Sequence, residues 1–382
     1  MKYRKFGKLD WEVSVLGFGA MRLPILENDQ SKIVEPEAIE MIRTAIDSGV
    51  NYVDTAYGYH GGNSEVLVGK ALGDGYRNKV RLATKLFPHA VQTAADFDRL
   101  LDEQLKKLST DHIDFYLLHG INKTSWPKLR DLGVLEWSEK AKADGRIRDL
   151  GFSFHDTLDV FKEIIDAYDQ WTFCQIQYNF MDTEYQAGTE GLQYAAGKGL
   201  GIVIMEPLRG GALAKKPPEN VAKAYAGSKT QRSQADWALQ WVWNHPEVSV
   251  VLSGMSTMTQ VTENLASADR SGPASLSMED LAIIDRVREE YITSCPIPCT
   301  GCRYCMPCPN DVDIPGILSI YNNGYMYDEH RMARFYYRQL PRESQADKCV
   351  QCDECGEKCP QDFDIPEALA KVHGWLGPKP KA

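Results

Sequence analysis

Between residues 12 and 255 the chain alternates short, nearly all-apolar β-branched runs with longer stretches of helical period, and this alternation restricts the fold more than any other feature. The runs are EVSVLGFGAM (12–21), NYVDTA (51–56), KVRLATK (79–85), HIDFYLLH (112–119), IRDLGFSF (147–154), FCQIQYN (173–179), GIVIMEP (201–207) and VSVVLSGM (248–255). Strands without a polar face are those covered on both sides, as in parallel sheets. Between them lie PEAIEMIRTAIDSG, with Pro36 suited to a first turn and Gly49 to a C-terminal cap, and TAADFDRLLDEQLKKLS, with acids early and lysines late. Eight strand-helix units over about 250 residues is the arithmetic of a (β/α)8 TIM barrel. An open doubly wound sheet would call for an early glycine-rich dinucleotide fingerprint, and LGFGAMRLP supplies GxG without the third glycine.

In such a barrel the site forms where strands end, at the C-terminal mouth. Reading the strand ends gives Asp54 and nearby Tyr59 after the second run, Lys85 closing the third and His119 closing the fourth. Taken singly these are a helix cap, loop packing, a solvated strand end and a satisfied core histidine. Together they compose a proton-transfer device. A phenol of ordinary pKa about 10 is poorly matched to neutral pH; an adjacent ammonium favours the phenolate, and a carboxylate holds that ammonium in place. The histidine then orients a substrate oxygen.

DTAYGYHGGNSE, ATK, YLLHG, GFS, QIQYN, EPLRGG and SGMSTMTQVTENL follow the order and spacing of the aldo/keto reductases, and YRKFGKLDWEVSVLGFGAMRLP resembles their N-terminal hairpin and first strand. The resemblance covers about three quarters of the chain and rests on several ordered motifs together. It implies an NAD(P)H-dependent (β/α)8 oxidoreductase in which Tyr59 is the general acid/base, Lys85 and Asp54 tune it, and His119 orients the carbonyl. It also implies cofactor contacts from Ser153 and Gln175 near the carboxamide, from Met205, Glu206, Pro207, Leu208 and Gly210 around nicotinamide and pyrophosphate, and from Gly254, Met255, Gln260, Glu263 and Asn264 around the adenosine. Three positions depart from the family pattern: Phe154 stands for an asparagine beside the carboxamide, Met205 for a stacking aromatic, and Gln260 for an arginine that clamps the 2′-phosphate of NADPH. The choice between NADPH and NADH therefore stays open.

Past Tyr291 strand signals vanish and proline, cysteine and tyrosine become dense. CPNDVDIP (308–315) returns as CPQDFDIP (359–366), each copy following a cysteine ladder and leading into a helix-like segment, GILSIYNNGYMY or EALAKVHGWL. The expected organisation is a barrel over residues 1–290 and a duplicated, mostly helical domain over 291–382. The second ladder, Cys349, Cys352, Cys355 and Cys359 before Pro360, has the C-x2-C-x2-C-x3-C-P spacing of a bacterial ferredoxin run for a [4Fe-4S] cluster. The first, Cys299, Cys302, Cys305 and Cys308 before Pro309, is one residue shorter ahead of its last cysteine. A zinc ribbon would pair two C-x2-C units across a short spacer, so iron-sulfur is preferred. The ladders resemble two-cluster ferredoxin modules, as found after the barrel in a subgroup of aldo/keto reductases. That resemblance implies Cys299, Cys302, Cys305 and Cys359 on one cluster and Cys349, Cys352, Cys355 and Cys308 on the other, with Cys295 the alternative to Cys308. Cys174, inside the sixth run, reads as a small buried apolar residue.

The formal net charge of −10 disfavours nucleic acid and anionic membrane as partners. No segment approaches the roughly 20 apolar residues of a membrane span, and the N-terminal stretch lacks a signal-peptide core. Grouped cysteines held as metal ligands point to the cytoplasm. The expected partners are a small carbonyl or alcohol substrate and, where the clusters carry electrons rather than only stabilising the fold, a ferredoxin-like electron carrier. Two other readings stand beside hydride transfer: clusters that feed single electrons to a substrate in the barrel, and a non-enzymatic iron-sulfur redox sensor.

Overall fold

The computed structural model describes residues 1–27, 29–299, 301, 305–359 and 361–378. They fall into two compact units: Met1–Ala214 with Arg232–Leu281, and Lys215–Gln231 with Ala282–Ala382. Among the described residues no helix is long and apolar enough to cross a membrane.

In the first unit β1 (Tyr3–Lys5) and β2 (Glu12–Ser14) form an antiparallel hairpin. β3 (Leu16–Gly19), β4 (Tyr52–Asp54), β5 (Arg81–Leu86), β6 (Ile113–Ile121), β7 (Ile147–Phe154), β8 (Phe173–Gln177), β9 (Gly201–Met205) and β10 (Val250–Gly254) then make one closed parallel barrel, β10 pairing with both β9 and β3. Each of the eight expected runs supplies one barrel strand, but the first run is divided. The Ser14 hydroxyl donates to Leu16 O at 2.7 Å and accepts from Asn51 N at 3.1 Å, while Val15 N donates to Lys2 O. The chain thus leaves the hairpin at Ser14 and enters the barrel at Leu16. Both segments want apolar residues, so the run reads as continuous.

Phe6 and Trp11 of the hairpin close the barrel's N-terminal end against Tyr52, Phe115 and Phe173, with ring centroids 4.8 to 6.1 Å apart. The fit needs glycine: Gly7 has φ +54°, and a Cβ there would meet Gly201 N at 2.3 Å, while one on Gly201 would meet the Phe6 ring at 2.6 Å. The floor is solid, and any chemistry belongs at the other end. The expected helices form as Glu35–Asp47, with Pro36 in its first turn and Gly49 left-handed beyond its end, and Ala95–Leu108, with Asp96 and Asp98 early and Lys106 and Lys107 late.

The second unit holds helices Ile314–Met326, His330–Gln339 and Ile365–Leu376. The repeat is structural. Asp313 and Asp364 cap the first and third of these helices through Gly316 N and Glu367 N, each ahead of a proline in the first turn. Asp311 and Asp362 both adopt left-handed φ, 57° and 48°, and their N–H groups return to the carbonyls of Cys308 and Cys359. Both helices begin two residues before the segments expected from sequence, with Ile-Pro inside the first turn. Ile317, Leu318 and Tyr321 meet Leu369, Val372 and Leu376 in one core, against which Cys299, Cys305, Cys308, Cys349, Cys355 and Cys359 pack.

Candidate active site and cysteine module

Strand ends β4 and β5 bring Asp54 and Lys85 together at the mouth. Lys85 Nζ lies 2.7 and 2.8 Å from the two Asp54 carboxylate oxygens and 2.7 Å from Thr55 O, with both side chains buried. Tyr59, in the turn after β4, carries its ring with the centroid 5.0 Å from the same ammonium. His119, on β6, meets Tyr59 edge-on at 5.9 Å. All four expected residues thus share one place.

Burial works against the Lys85 charge, but Asp54 and Tyr59 outweigh it and hold the lysine above its ordinary value. For Tyr59 the expectation needs correction. Lys85 does pull the phenol down, yet burial pushes it up more strongly and Asp54 adds to the rise, so the net shift is above 10.0. The phenol therefore stays protonated at ordinary pH. Burial, with Lys85, His155 and His89 nearby, pushes His119 down to about 3. The ring is therefore neutral at ordinary pH, and its Nδ1 is buried without a hydrogen-bond partner.

The residues expected around a nicotinamide cofactor line the adjoining strand ends. Ser153 is buried on β7 and its hydroxyl accepts from Gly120 N at 2.7 Å. Gln175 Nε2 reaches Met205 Sδ at 3.5 Å, and its buried Oε1 has no partner. An amide N–H, such as a carboxamide offers, would satisfy that oxygen. Glu206, Arg209, Gly210 and Gly211 all take positive φ in the reversal that holds Pro207 and Leu208, and Asn179 Nδ2 fixes it through Glu206 O at 3.2 Å. Gly254 is exposed, Met255 is buried, and Glu263 is exposed on the following helix, Met258–Asp269.

Phe154, Gln260 and Asn264 each have partners within the protein. Phe154 does not stand in for a carboxamide ligand: its ring packs 5.0 Å from Phe161 of the helix Leu158–Asp166. Gln260 helps cap its helix, its N–H donating to Thr257 Oγ1 and its Oε1 accepting from Ser256 N at 2.8 Å. Asn264 is buried and donates to Ser253 Oγ at 2.9 Å.

Sequence reasoning passed over Arg22, three residues past β3. Its side chain runs beside Gly254, where a Cβ would meet it at 3.2 Å, and its guanidinium lies near Gly210. The strand-end rule that found Asp54 would have found it too. His60 was also missed: it is 4% exposed, at φ 54°, and binds Leu23 N and Gln30 O. Tyr57 and Phe87 stack at 6.0 Å beside His119, and His155 follows β7 with its Nδ1 3.2 Å from Gln186 Oε1.

In the second unit Cys305, Cys308, Cys349, Cys352 and Cys355 border one cavity, whose wall mixes apolar residues such as Ile314, Val350 and Leu369 with the polar Asn310, Asp353, Glu354 and Lys358. Four of these are the set expected on one cluster, Cys308 included, whereas Cys305 belongs to the set expected on the other; thiols grouped around one cavity suit iron-sulfur ligation. Cys359 packs against the same core, Cys295 Sγ is turned toward Met326 Sδ at 3.1 Å, and Cys174 is wholly buried in the barrel. Cys302 lies outside the described residues. Among those described, no three His, Cys, Asp or Glu side chains converge on a single-ion site.

The profile of the aldo/keto reductase family matches residues 15–289, and that of a 4Fe-4S dicluster domain matches residues 298–363. L-Galactose dehydrogenase of Arabidopsis thaliana is 28% identical over 76% of this chain and 95% of its own length. The NADH-specific methylglyoxal reductase of Escherichia coli is 26% identical over 70% of this chain and 93% of its own. Among solved structures, a holo aldo-keto reductase of Bacillus halodurans superposes with a TM-score of 0.63 at 29% identity, covering 75% of this chain and 96% of that one. One from Klebsiella pneumoniae in complex with NADPH gives 0.60 at 26%, covering 75% and 95%. The chain belongs to the aldo/keto reductase family and is an NAD(P)H-dependent oxidoreductase whose barrel is followed by a 4Fe-4S dicluster domain.

Proposed function

We propose that the barrel interconverts a carbonyl and an alcohol, with Tyr59 as general acid/base, Lys85 and Asp54 as the pair that governs it, and His119 as the group that orients the substrate oxygen. The observation that carries this reading is the buried Lys85–Asp54 pair beneath the Tyr59 ring. Bound NADPH or NADH supplies the hydride to the carbonyl carbon. Tyr59 gives its proton to the oxygen as negative charge develops there, and the fixed Lys85 ammonium stabilises the phenolate left behind. Neutral His119 donates one N–H to the same oxygen and so sets its angle. Gln175 and Ser153 would hold the carboxamide, the reversal at 205–210 with Arg22 the pyrophosphate, and Gly254 through Asn264 the adenosine. Gln260, engaged in a cap, offers no cation to a 2′-phosphate, so both nucleotides are candidates.

Cys349, Cys352, Cys355 and Cys308 hold one [4Fe-4S] cluster in this reading, and Cys299, Cys302, Cys305 and Cys359 a second, exchanging single electrons with a ferredoxin-like carrier in the cytoplasm. The alternative of cluster-driven reduction in the barrel keeps its motivation, because Phe154 and Gln260 are engaged in packing and capping and offer a nucleotide neither an asparagine amide nor a cation.

The test is Tyr59→Phe, assayed with NADPH and NADH against a panel that includes aldoses and 2-oxoaldehydes, the chemistry in the names of two relatives. The expected loss in turnover is about 10²- to 10⁴-fold with the fold intact. Undiminished carbonyl reduction would overturn the assignment.

A further inference from the structure

The helix His330–Gln339, HRMARFYYRQ, contributes Ala333 and Tyr337 to the core of the second unit. Its other side is unusual. Met332, Phe335 and Tyr336 are 41%, 54% and 54% exposed, and the rings of Phe335 and Tyr336 stand 5.6 Å apart. At about 100° per residue the exposed arc reads Arg338, Arg331, Phe335, Gln339, Met332, Tyr336: a basic edge running into an apolar one.

The helix has no acidic residue of its own. Arg334 is committed to Trp375 O at 3.0 Å, whereas Arg331 and Arg338 are exposed. Of the acids flanking the helix, Glu329 is matched by Lys215 at 2.6 Å and Asp347 by Arg342, while Asp328 and Glu343 lie exposed beyond its two ends and leave the arc itself free of acids. On a chain of net charge −10 this arc is a local positive site with an apolar centre.

It also lies close to the thiols. Tyr337, on the inner side of the helix, accepts from Ala346 N at 3.0 Å, three residues before Cys349. The core that Tyr337 joins is the one against which Cys308, Cys349, Cys355 and Cys359 pack. A helix with its side chains is about 10–12 Å across, so the arc is one helix diameter from the cysteine-bearing core. Redox encounters use small interfaces and electrostatic steering more than area.

We infer that the arc formed by Arg331, Met332, Phe335, Tyr336 and Arg338 is the docking surface for an acidic one-electron carrier protein. The inference rests on the reading that residues 299–359 hold clusters. In the encounter the carrier's reduced centre loses one electron and one cluster of this chain gains it, with no bond made or broken.

The experiment uses the full, cluster-loaded chain under anaerobic conditions, with an acidic plant-type [2Fe-2S] ferredoxin as the probe in calorimetric titrations at low and high salt. The affinity is expected to fall with salt, to fall roughly tenfold or more in Arg331→Glu/Arg338→Glu, and to fall about fivefold in Phe335→Ala/Tyr336→Ala. Iron content, far-ultraviolet circular dichroism and carbonyl turnover should match the parent in both variants. Iron-replete protein that does not bind the ferredoxin, variants that bind as tightly as the parent, or equal affinity for a basic cytochrome c would overturn the assignment. So would a dimer that Phe335→Ala/Tyr336→Ala dissociates, since a second copy would then own the surface. A chain that takes up no iron sinks the cluster reading itself.

Discussion

His60 Nε2 accepts a hydrogen bond from the backbone N–H of Leu23 at 3.2 Å. Its Nδ1 lies 2.8 Å from Gln30 O, so the proton sits on Nδ1 and the ring is neutral. One imidazole thereby ties the segment that follows Arg22 to the residue beside Tyr59. His60→Ala leaves a buried N–H and a carbonyl without partners and is expected to cost about 1–3 kcal/mol in urea unfolding. It should also slow turnover, because Tyr59 loses its anchor. His60→Gln, which can still donate and accept, should recover part of both.

The Asp54–Lys85 pair predicts non-additivity. Lys85→Met alone strands a buried carboxylate and is expected to cost about 3–5 kcal/mol. Adding Asp54→Leu should restore stability toward the parent rather than lower it further. Denaturant titrations of the two single variants and the double variant check this, all three having lost activity.

Acid stability carries the mark of His119. Its folded value of about 3 lies below the ordinary 6.5, so on acidification the unfolded chain takes up this proton first. The contribution of the neutral ring is whole above about pH 6.5 and is lost as pH falls toward 3; the full shift is worth on the order of 5 kcal/mol. His60 and His155 are also depressed, burial being the main cause, and slope the same way. His119→Gln should flatten its own share of the profile, read from unfolding free energies measured between pH 4 and 8.

The cysteine assignment separates two neighbours. Cys308 borders the cavity of Cys349, Cys352 and Cys355, whereas Cys295 faces Met326. Cys308→Ser is expected to lower iron and sulfide by about half, and Cys295→Ser to leave both unchanged. Chemical iron and sulfide counts after anaerobic purification distinguish them.

The barrel and its four-residue site were legible for physical reasons. Strands covered on both faces lose most polar residues and stand out as blocks, and polar residues at the end of such a block draw notice to the mouth. That places Asp54, Lys85 and His119 without a structure. The division of the first run at Val15 was hidden because hairpin and barrel strands draw on the same side chains. The burial that raises Tyr59 belongs to tertiary surroundings and leaves no mark on the neighbouring letters. Gln260 looked like a missing arginine because its distance from Thr257, the spacing of a capping box, was not weighed. The helix His330–Gln339 escaped because its start carries no capping signal, Glu329 making no side-chain cap.

The closure at Gly7, Gly201 and Phe6 has a consequence for how such a chain can change. With a hypothetical Cβ on Gly7 only 2.3 Å from Gly201 N, the floor tolerates almost no drift. The mouth lies at the opposite end of the barrel, so new substrates can be explored there by mutation while folding stays under the protection of an end that never sees them.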